Sequence, residues 1–317
     1  MLASAQIIPA SLRPGSRIAI VSPSSSIDSK WVLQCADSLT ARGYEPVIFP
    51  HALGKNWGSY PATDQEKLED LTAAFADSTI DLILCSRGGY SSTRLLPMLD
   101  EELIRNNPKW LIGFSDISAL HALMAKAGVA SIHGPMTRPI ASPGAQKESV
   151  DYLFQIIEQG LPLTYTLRNH PYNKPGVAQG RMLGGNFIVI NNLAETPWDV
   201  LNRGDEEDVI LFVEEVGEKI YAVERMLLRL HQSGALGRLK GIVFGQFTEY
   251  KPDENFETME DMIHYWLREW GYYADGSQMP ILYGFPGGHD DKINWPVVLG
   301  ANCTLAIDGE SATLTFE

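Results

Sequence analysis

The 317-residue chain contains three cysteines, Cys35, Cys85 and Cys303, odd in number, far apart and without a C-x-x-C. That spacing supports neither a disulfide framework nor a thiolate zinc site, and a reducing cytoplasm is the expected location. No cluster of Lys or Arg interrupts a net charge of −14, which argues against nucleic acid and anionic membrane surfaces as partners. No apolar run approaches the ~20 residues of a membrane span. The opening ten residues, Met1 to Ala10, lack a basic n-region and a sustained apolar core, so they do not read as a signal peptide. No G-x-G-x-x-G follows a strand-like run and no Walker A sequence occurs, so no nucleotide cofactor is indicated. No H-E-x-x-H or comparable ligand spacing accompanies the histidines, so no metal is expected.

What remains is the composition of an ordinary globular protein, 44% hydrophobic and 20% charged, on a chain long enough for two domains. After the turn signal Pro14-Gly15, Arg17-Ile-Ala-Ile-Val-Ser22 reads as a buried strand, and Pro23-Ser-Ser-Ser26 as a loop. Val32, Cys35, Ala36 and Leu39 then recur at helical spacing, closed by Gly43. Pro46–Phe49, Asp81–Ser86 and Trp110–Gly113 supply further strands, and Thr63-x-x-Glu66 is a capping box opening a second helix. Strands alternating with helices at this spacing predict a parallel sheet covered on both faces, with ligands outside the strands' carboxyl ends. Prolines punctuate residues 139–178, which read as a connector with one helical stretch near 147–159. The rest, 179–317, reads as a smaller mixed α/β domain ending in two antiparallel strands near 301–307 and 312–316. The predicted division is 1–138, 139–178 and 179–317.

Three strand ends carry side chains suited to chemistry. In Trp110-Leu-Ile-Gly-Phe-Ser-Asp-Ile-Ser118 an apolar run gives way to a serine and then to an amphipathic segment, a strand–turn–helix that would expose the Ser115 hydroxyl. The G-x-S-x-G elbow is half matched, because position 117 is Ile. Ser115 or Asp116 reads equally well as an ordinary helix N-cap. In Ser86-Arg-Gly-Gly-Tyr-Ser-Ser-Thr-Arg94 adjacent glycines could turn backbone N–H groups into a cleft as an anion nest or oxyanion hole, or simply form a tight turn. A serine nucleophile needs a base and an orienting acid. Among seven histidines, His121 falls on an apolar helix stripe, His133 ends a strand and could line a cleft, and His289 stands in the glycine-rich loop Gly284-Phe-Pro-Gly-Gly-His289. Strand alternation sends Glu214 and Glu215 to opposite faces, one able to face a cleft; the pattern leaves open which is which, and a plain solvated strand-end charge is the stronger reading for Glu215 than for Glu214.

The blocks Leu12-Arg-Pro-Gly-Ser-Arg-Ile-Ala-Ile-Val-Ser22, Cys85-Ser-Arg-Gly-Gly-Tyr90, Gly113-Phe-Ser-Asp-Ile-Ser-Ala-Leu-His121, His133-Gly-Pro-Met136, Gly180-Arg-Met-Leu-Gly-Gly-Asn186, Leu211-Phe-Val-Glu-Glu-Val-Gly217, Gly241-Ile-Val-Phe-Gly-Gln-Phe-Thr248 and Gly288-His289 stand in one order over nearly the whole chain. In this the sequence resembles the LD-carboxypeptidase family of serine peptidases, which also includes the microcin C immunity peptidases. The resemblance implies a flavodoxin- or amidotransferase-like N-terminal domain joined to a smaller mixed α/β domain, with the active site in the interdomain cleft. It implies Ser115 as nucleophile, Glu214 as acid and His289 as base, with backbone N–H groups of Gly89 and Asp116 as the oxyanion hole. It also implies a cytoplasmic homodimer releasing terminal D-Ala from a murein tetrapeptide during peptidoglycan recycling, without a cofactor. Arg87 is the candidate for the substrate's terminal carboxylate, from its charge and position. The alternatives are an immunity-type peptidase cleaving an acyl-sulfamoyl adenylate and a non-catalytic ligand-binding module. Three departures from the family pattern stand out: Ser91 where a third glycine is usual, Trp295 before Pro296, and Lys67 where Arg is more common.

Overall fold

The computed structural model describes residues 6–201, 207–274 and 276–317. Residues 1–5 of the stretch read as lacking a leader pattern lie outside them. The chain divides into two compact units, Met1–Leu161 with Asp291–Gly300, and Pro162–Asp290 with Ala301–Glu317. In chain order the first strands are β1 (Arg17–Val21), β2 (Glu45–Ile48), β3 (Leu82–Cys85), β4 (Trp110–Gly113), β5 (Ser131–His133), β6 (Leu163–Arg168) and β7 (Gly176–Asn186). They are followed by β8 (Val209–Val216), β9 (Gly241–Thr248), β10 (Ile281–Leu282), β11 (Val297–Leu299), β12 (Asn302–Ile307) and β13 (Ser311–Phe316).

The first unit holds a six-stranded sheet in the order β11-β5-β4-β3-β1-β2. Its first five strands run parallel in the flavodoxin-like order 2-1-3-4-5, and β11 closes the edge antiparallel to β5. β3 and β4 are buried along their whole length, as strands covered on both faces must be. The helix Ser29–Ala41 buries Val32, Cys35 and Leu39, the stripe its spacing predicts, and Asp28 caps it by accepting from the Lys30 N–H. The helix Asp64–Ala76 has both halves of its capping box: Thr63 accepts from the Glu66 N–H, and Glu66 accepts from the Thr63 N–H. In order 2-1-3-4-5 the crossover direction reverses between β1 and β3, so the loops after those strands flank the natural ligand crevice. Those loops are Ser22–Ser26 and Ser86–Ser92.

The second unit is a mixed seven-stranded sheet, β10-β9-β8-β7-β12-β13-β6. β7 to β10 are parallel, whereas β12, β13 and β6 join antiparallel. Helix Lys147–Gln159 and strand β6 both lie within the segment read as a connector, with Pro143, Pro162 and Pro171 outside them. Among the described residues no helix is long and apolar enough to cross a membrane.

Candidate active site

β4 ends at Gly113, and the backbone turns at once into a short 3-10 turn, Ser115–Ile117, that leads into the helix Ser118–Ala127. Ser115 takes φ +66°, a left-handed conformation rare for residues other than glycine. Strain of this kind, on the order of 1–3 kcal/mol, persists only where surrounding structure enforces it. The enforcement is visible. A Cβ on Gly113 would lie 2.8 Å from Ile117 Cγ2, so only glycine leaves room for Ile117 to fold back on the strand end. Ile117 thus fills the space that the second elbow glycine would leave open. His121 tightens the same turn: its Nε2 lies 2.8 Å from the Gly113 carbonyl and its Nδ1 2.8 Å from Ser131 Oγ. Because a carbonyl only accepts, Nε2 carries the proton and Nδ1 accepts from the serine. Burial, with His133 alongside, pushes the His121 pKa down to about 3, so the ring stays neutral. His133 is buried, edge-on to Phe114 and beside His121, and is a core residue instead of a cleft-lining one.

Neither Ser115 nor Asp116 is the helix cap that the sequence allows. No side chain caps the 3-10 turn or the helix, and the Asp116 carboxylate points elsewhere. Its Oδ2 accepts from Ser24 Oγ at 2.6 Å and from the Ser92 N–H at 2.9 Å, while the Asp116 carbonyl accepts from Ser92 Oγ. One buried carboxylate therefore ties the loop after β1 and the loop after β3 to the turn after β4. The Asp116 N–H lies in the first turn, where amides have no helical acceptor. Gly88 packs directly on the serine, since a Cβ there would lie 2.7 Å from Ser115 Cβ. Gly89 follows at φ +128°, against Ser25 Oγ. Arg87 is exposed, with Nη1 donating to the Ser26 carbonyl at 3.2 Å.

In the second unit, Glu214 of β8 is fully buried and His289 is mostly so, with Nδ1 2.6 Å from Glu214 Oε2. An ionised carboxylate only accepts, so Nδ1 carries the proton and the basic lone pair is on Nε2. Burial acts to lower the His289 pKa, but the charge and hydrogen bond of Glu214, with Glu215 and Glu249 behind them, outweigh it and leave it raised above 6.5. The approach depends on Gly288 at φ +145°, where a Cβ would sit 3.2 Å from both Glu214 Cβ and Oε2. Gln246 N–H donates to the Gly287 carbonyl at 2.9 Å and fixes the loop on β9.

Glu215 departs from its expected place in solvent: it is 2% exposed. A register shift between β8 and β9 at Val213/Glu215 breaks the strict alternation on which that expectation rests. Its Oε2 accepts from the Ile188 N–H at 2.7 Å, at the start of the helix Phe187–Asn192, and its Oε1 from Asn186 Nδ2 and the Val216 N–H. Burial raises its pKa to about 7 against the opposing pull of those N–H groups.

A second histidine–carboxylate pair, His51 and Asp70 at 2.9 Å, sits in the first unit. Its other nitrogen faces Glu66 at 3.9 Å, so the ring stands between two carboxylates. Among the described residues no group of three or more His, Cys, Asp or Glu could hold a metal ion.

The chain is thus a two-unit α/β protein, one unit with a mostly parallel sheet and one with a mixed sheet. Residues 18–134 match the LD-carboxypeptidase N-terminal domain and 179–305 the LD-carboxypeptidase C-terminal domain. The chain belongs to the LD-carboxypeptidase family. It is 30% identical to the murein tetrapeptide carboxypeptidase of Pseudomonas aeruginosa over 88% of this chain and 90% of that one. It is 25% identical to the microcin C7 self-immunity protein MccF of Escherichia coli, over 80% of this chain and 79% of that one. The crystal structure of muramoyltetrapeptide carboxypeptidase from Oxalobacter formigenes superposes with a TM-score of 0.82 at 26% identity, covering 95% and 98% of the two chains.

Proposed function

We propose that this protein is a serine LD-carboxypeptidase that releases the terminal D-Ala of a murein tetrapeptide. The observation that carries the reading is the buried Glu214–His289 pair at 2.6 Å, a charged acceptor holding an imidazole in the tautomer a base requires. Ser115 supports it from the other unit, strained at a strand–helix turn with the Gly88-Gly89 loop against it. In the proposed reaction His289 Nε2 takes the Ser115 proton as Oγ attacks the carbonyl of the third residue's L-centre. Glu214 holds the tautomer and stabilises the imidazolium. The N–H groups of Gly89 and Asp116 receive the oxyanion, each worth about 3–4 kcal/mol in comparable sites. His289 then protonates the departing D-Ala amine, and water activated by the same imidazole hydrolyses the acyl-enzyme. Arg87, exposed beside the glycine pair, is the proposed partner of the substrate's carboxylate. The name of the Pseudomonas aeruginosa relative supports the murein peptide over other substrates.

The test is D-Ala release from L-Ala-γ-D-Glu-meso-diaminopimelate-D-Ala by the parent and by Ser115→Ala. Release by the parent and none by the variant is expected. Release that survives in the variant sinks the serine mechanism, and no release from any murein tetrapeptide sinks the substrate.

A further inference from the structure

Lys67 and Ser91, 24 positions apart in sequence, are in contact in the first unit. Lys67 lies in the helix Asp64–Ala76 and is 2% exposed, yet its side-chain nitrogen has fixed partners. Its Nζ donates to Ser91 Oγ at 2.7 Å and to Asp64 Oδ1 at 3.1 Å, and lies 4.9 Å over the Tyr60 ring. Asp64 is held in turn by Arg94 through Nε at 2.6 Å and Nη2 at 2.9 Å. Ser91 stands at φ +127°, a conformation that a non-glycine residue adopts only under constraint, two residues after Gly89. Its hydroxyl, having accepted from Lys67, donates to the Ser24 carbonyl at 3.4 Å. Ser24 Oγ then donates to Asp116 Oδ2. Lys67, Ser91, Ser24 and Asp116 are all nearly or fully buried, so water does not replace a missing partner in this chain of bonds.

The geometry points to Lys67 as a positioning residue: through Ser91 it holds the chain reversal after the glycine pair, and with it the aim of the Gly89 N–H. This inference rests on the proposed serine mechanism. Lys67 touches no reacting atom. An ammonium fixed by an aspartate that Arg94 holds in turn cannot drift, so it anchors a loop whose own sequence, Gly-Gly-Tyr-Ser, has little rigidity. A glycine at position 91 would adopt the same φ without strain and would need no such anchor. The serine is tolerable because its hydroxyl is gripped from both sides.

The experiment compares Lys67→Met, Ser91→Ala and the double variant in the D-Ala release assay, with thermal unfolding as the check on folding. Misaiming one oxyanion donor lowers kcat by roughly 10- to 100-fold with KM within about twofold. Both single variants should show that split, and the double variant should be no worse than either single one, because they break one linkage. Unchanged kcat in folded Lys67→Met, or losses that multiply in the double variant, would overturn the inference. Should Lys67→Met not fold, Ser91→Ala decides: it removes one hydroxyl only, and an undiminished kcat there is equally fatal. Ser115→Ala run alongside separates this failure from that of the serine mechanism, since activity in Ser115→Ala removes the mechanism whatever Lys67 does.

Discussion

Glu214→Gln puts the account under most strain, because the change is nearly isosteric and alters one charge. In the parent, Oε2 of a fully buried carboxylate lies 2.6 Å from His289 Nδ1. In the proposed mechanism His289 takes up the serine proton and the pair becomes carboxylate and imidazolium, with charge centres about 4 Å apart. At an effective dielectric near 20 that attraction is worth about 4 kcal/mol. Each 1.36 kcal/mol is tenfold in rate, so its loss slows acylation by about 10³-fold. The glutamine adds a second defect, since its amide can donate to Nδ1 and push the proton to Nε2, where the base should be. The equivalent change in a Ser-His-Asp triad costs about 10⁴-fold in kcat. The expected loss is therefore roughly 10³- to 10⁴-fold in kcat for D-Ala release, with KM changed far less. A pH profile supplies the second readout. The parent's acid limb in kcat/KM lies above 6.5, because Glu214 and its neighbours outweigh burial and raise His289. In the variant burial prevails and the limb moves to lower pH. A kcat within about tenfold of the parent, or a limb that does not move, would refute the assignment of both residues.

Other consequences are as direct. Ser115→Gly should be inactive yet about 1 kcal/mol more stable than Ser115→Ala, since glycine takes φ +66° without strain and alanine does not, a difference readable by urea unfolding. Asp116→Ala removes the acceptor of Ser24 Oγ and the Ser92 N–H and should cost roughly 2–4 kcal/mol in the same measurement, with activity lost. Gly288→Ala should lower activity at least about tenfold with the fold intact, because its Cβ presses on Glu214 Oε2 and displaces His289. Glu215 and His289, both raised, lower stability as pH rises, whereas the buried His121, pushed down to about 3, acts the other way up to 6.5. Folded Glu215 keeps a proton that the unfolded chain loses above about 4.5, so its contribution declines as pH rises toward about 7. The contribution of His289, whose pKa is raised by folding, is full below 6.5 and is lost as pH rises through its folded value. Unfolding free energy should therefore fall above about pH 6.5, where the neutral His121 no longer opposes the two raised groups, and below that Glu215→Gln should remove the loss of stability that Glu215 contributes in the parent as pH rises.

Much of the fold is legible in local pattern. β1, β3 and β4 are short buried runs bounded by turn residues, and the Thr63–Glu66 capping box announces its helix in four letters. β11 is not legible that way: Val297–Leu299 is three apolar residues nearly 170 positions from its partner β5, and nothing local says which sheet it joins. Ser115 and His289 stand out because a lone hydroxyl after a strand and a histidine in a glycine loop are unusual contexts. Glu215 misleads because alternation assumes a regular ladder, and the register shift beside it cannot be read from spacing. Likewise Lys67 and Ser91 each look like a minor departure in one dimension; only their 2.7 Å contact turns them into a pair. The same blindness hides His51–Asp70, whose proximity is tertiary.

The central claim is that Ser115 is acylated by a murein tetrapeptide. Mixing enzyme and L-Ala-γ-D-Glu-meso-diaminopimelate-D-Ala, quenching in acid and mapping the protein by mass spectrometry tests it most directly. The account predicts a tripeptide acyl group on Ser115 that appears with the first D-Ala released, decays as substrate is exhausted, and is absent from Ser115→Ala. D-Ala released by Ser115→Ala, or an adduct on any other residue, would contradict it.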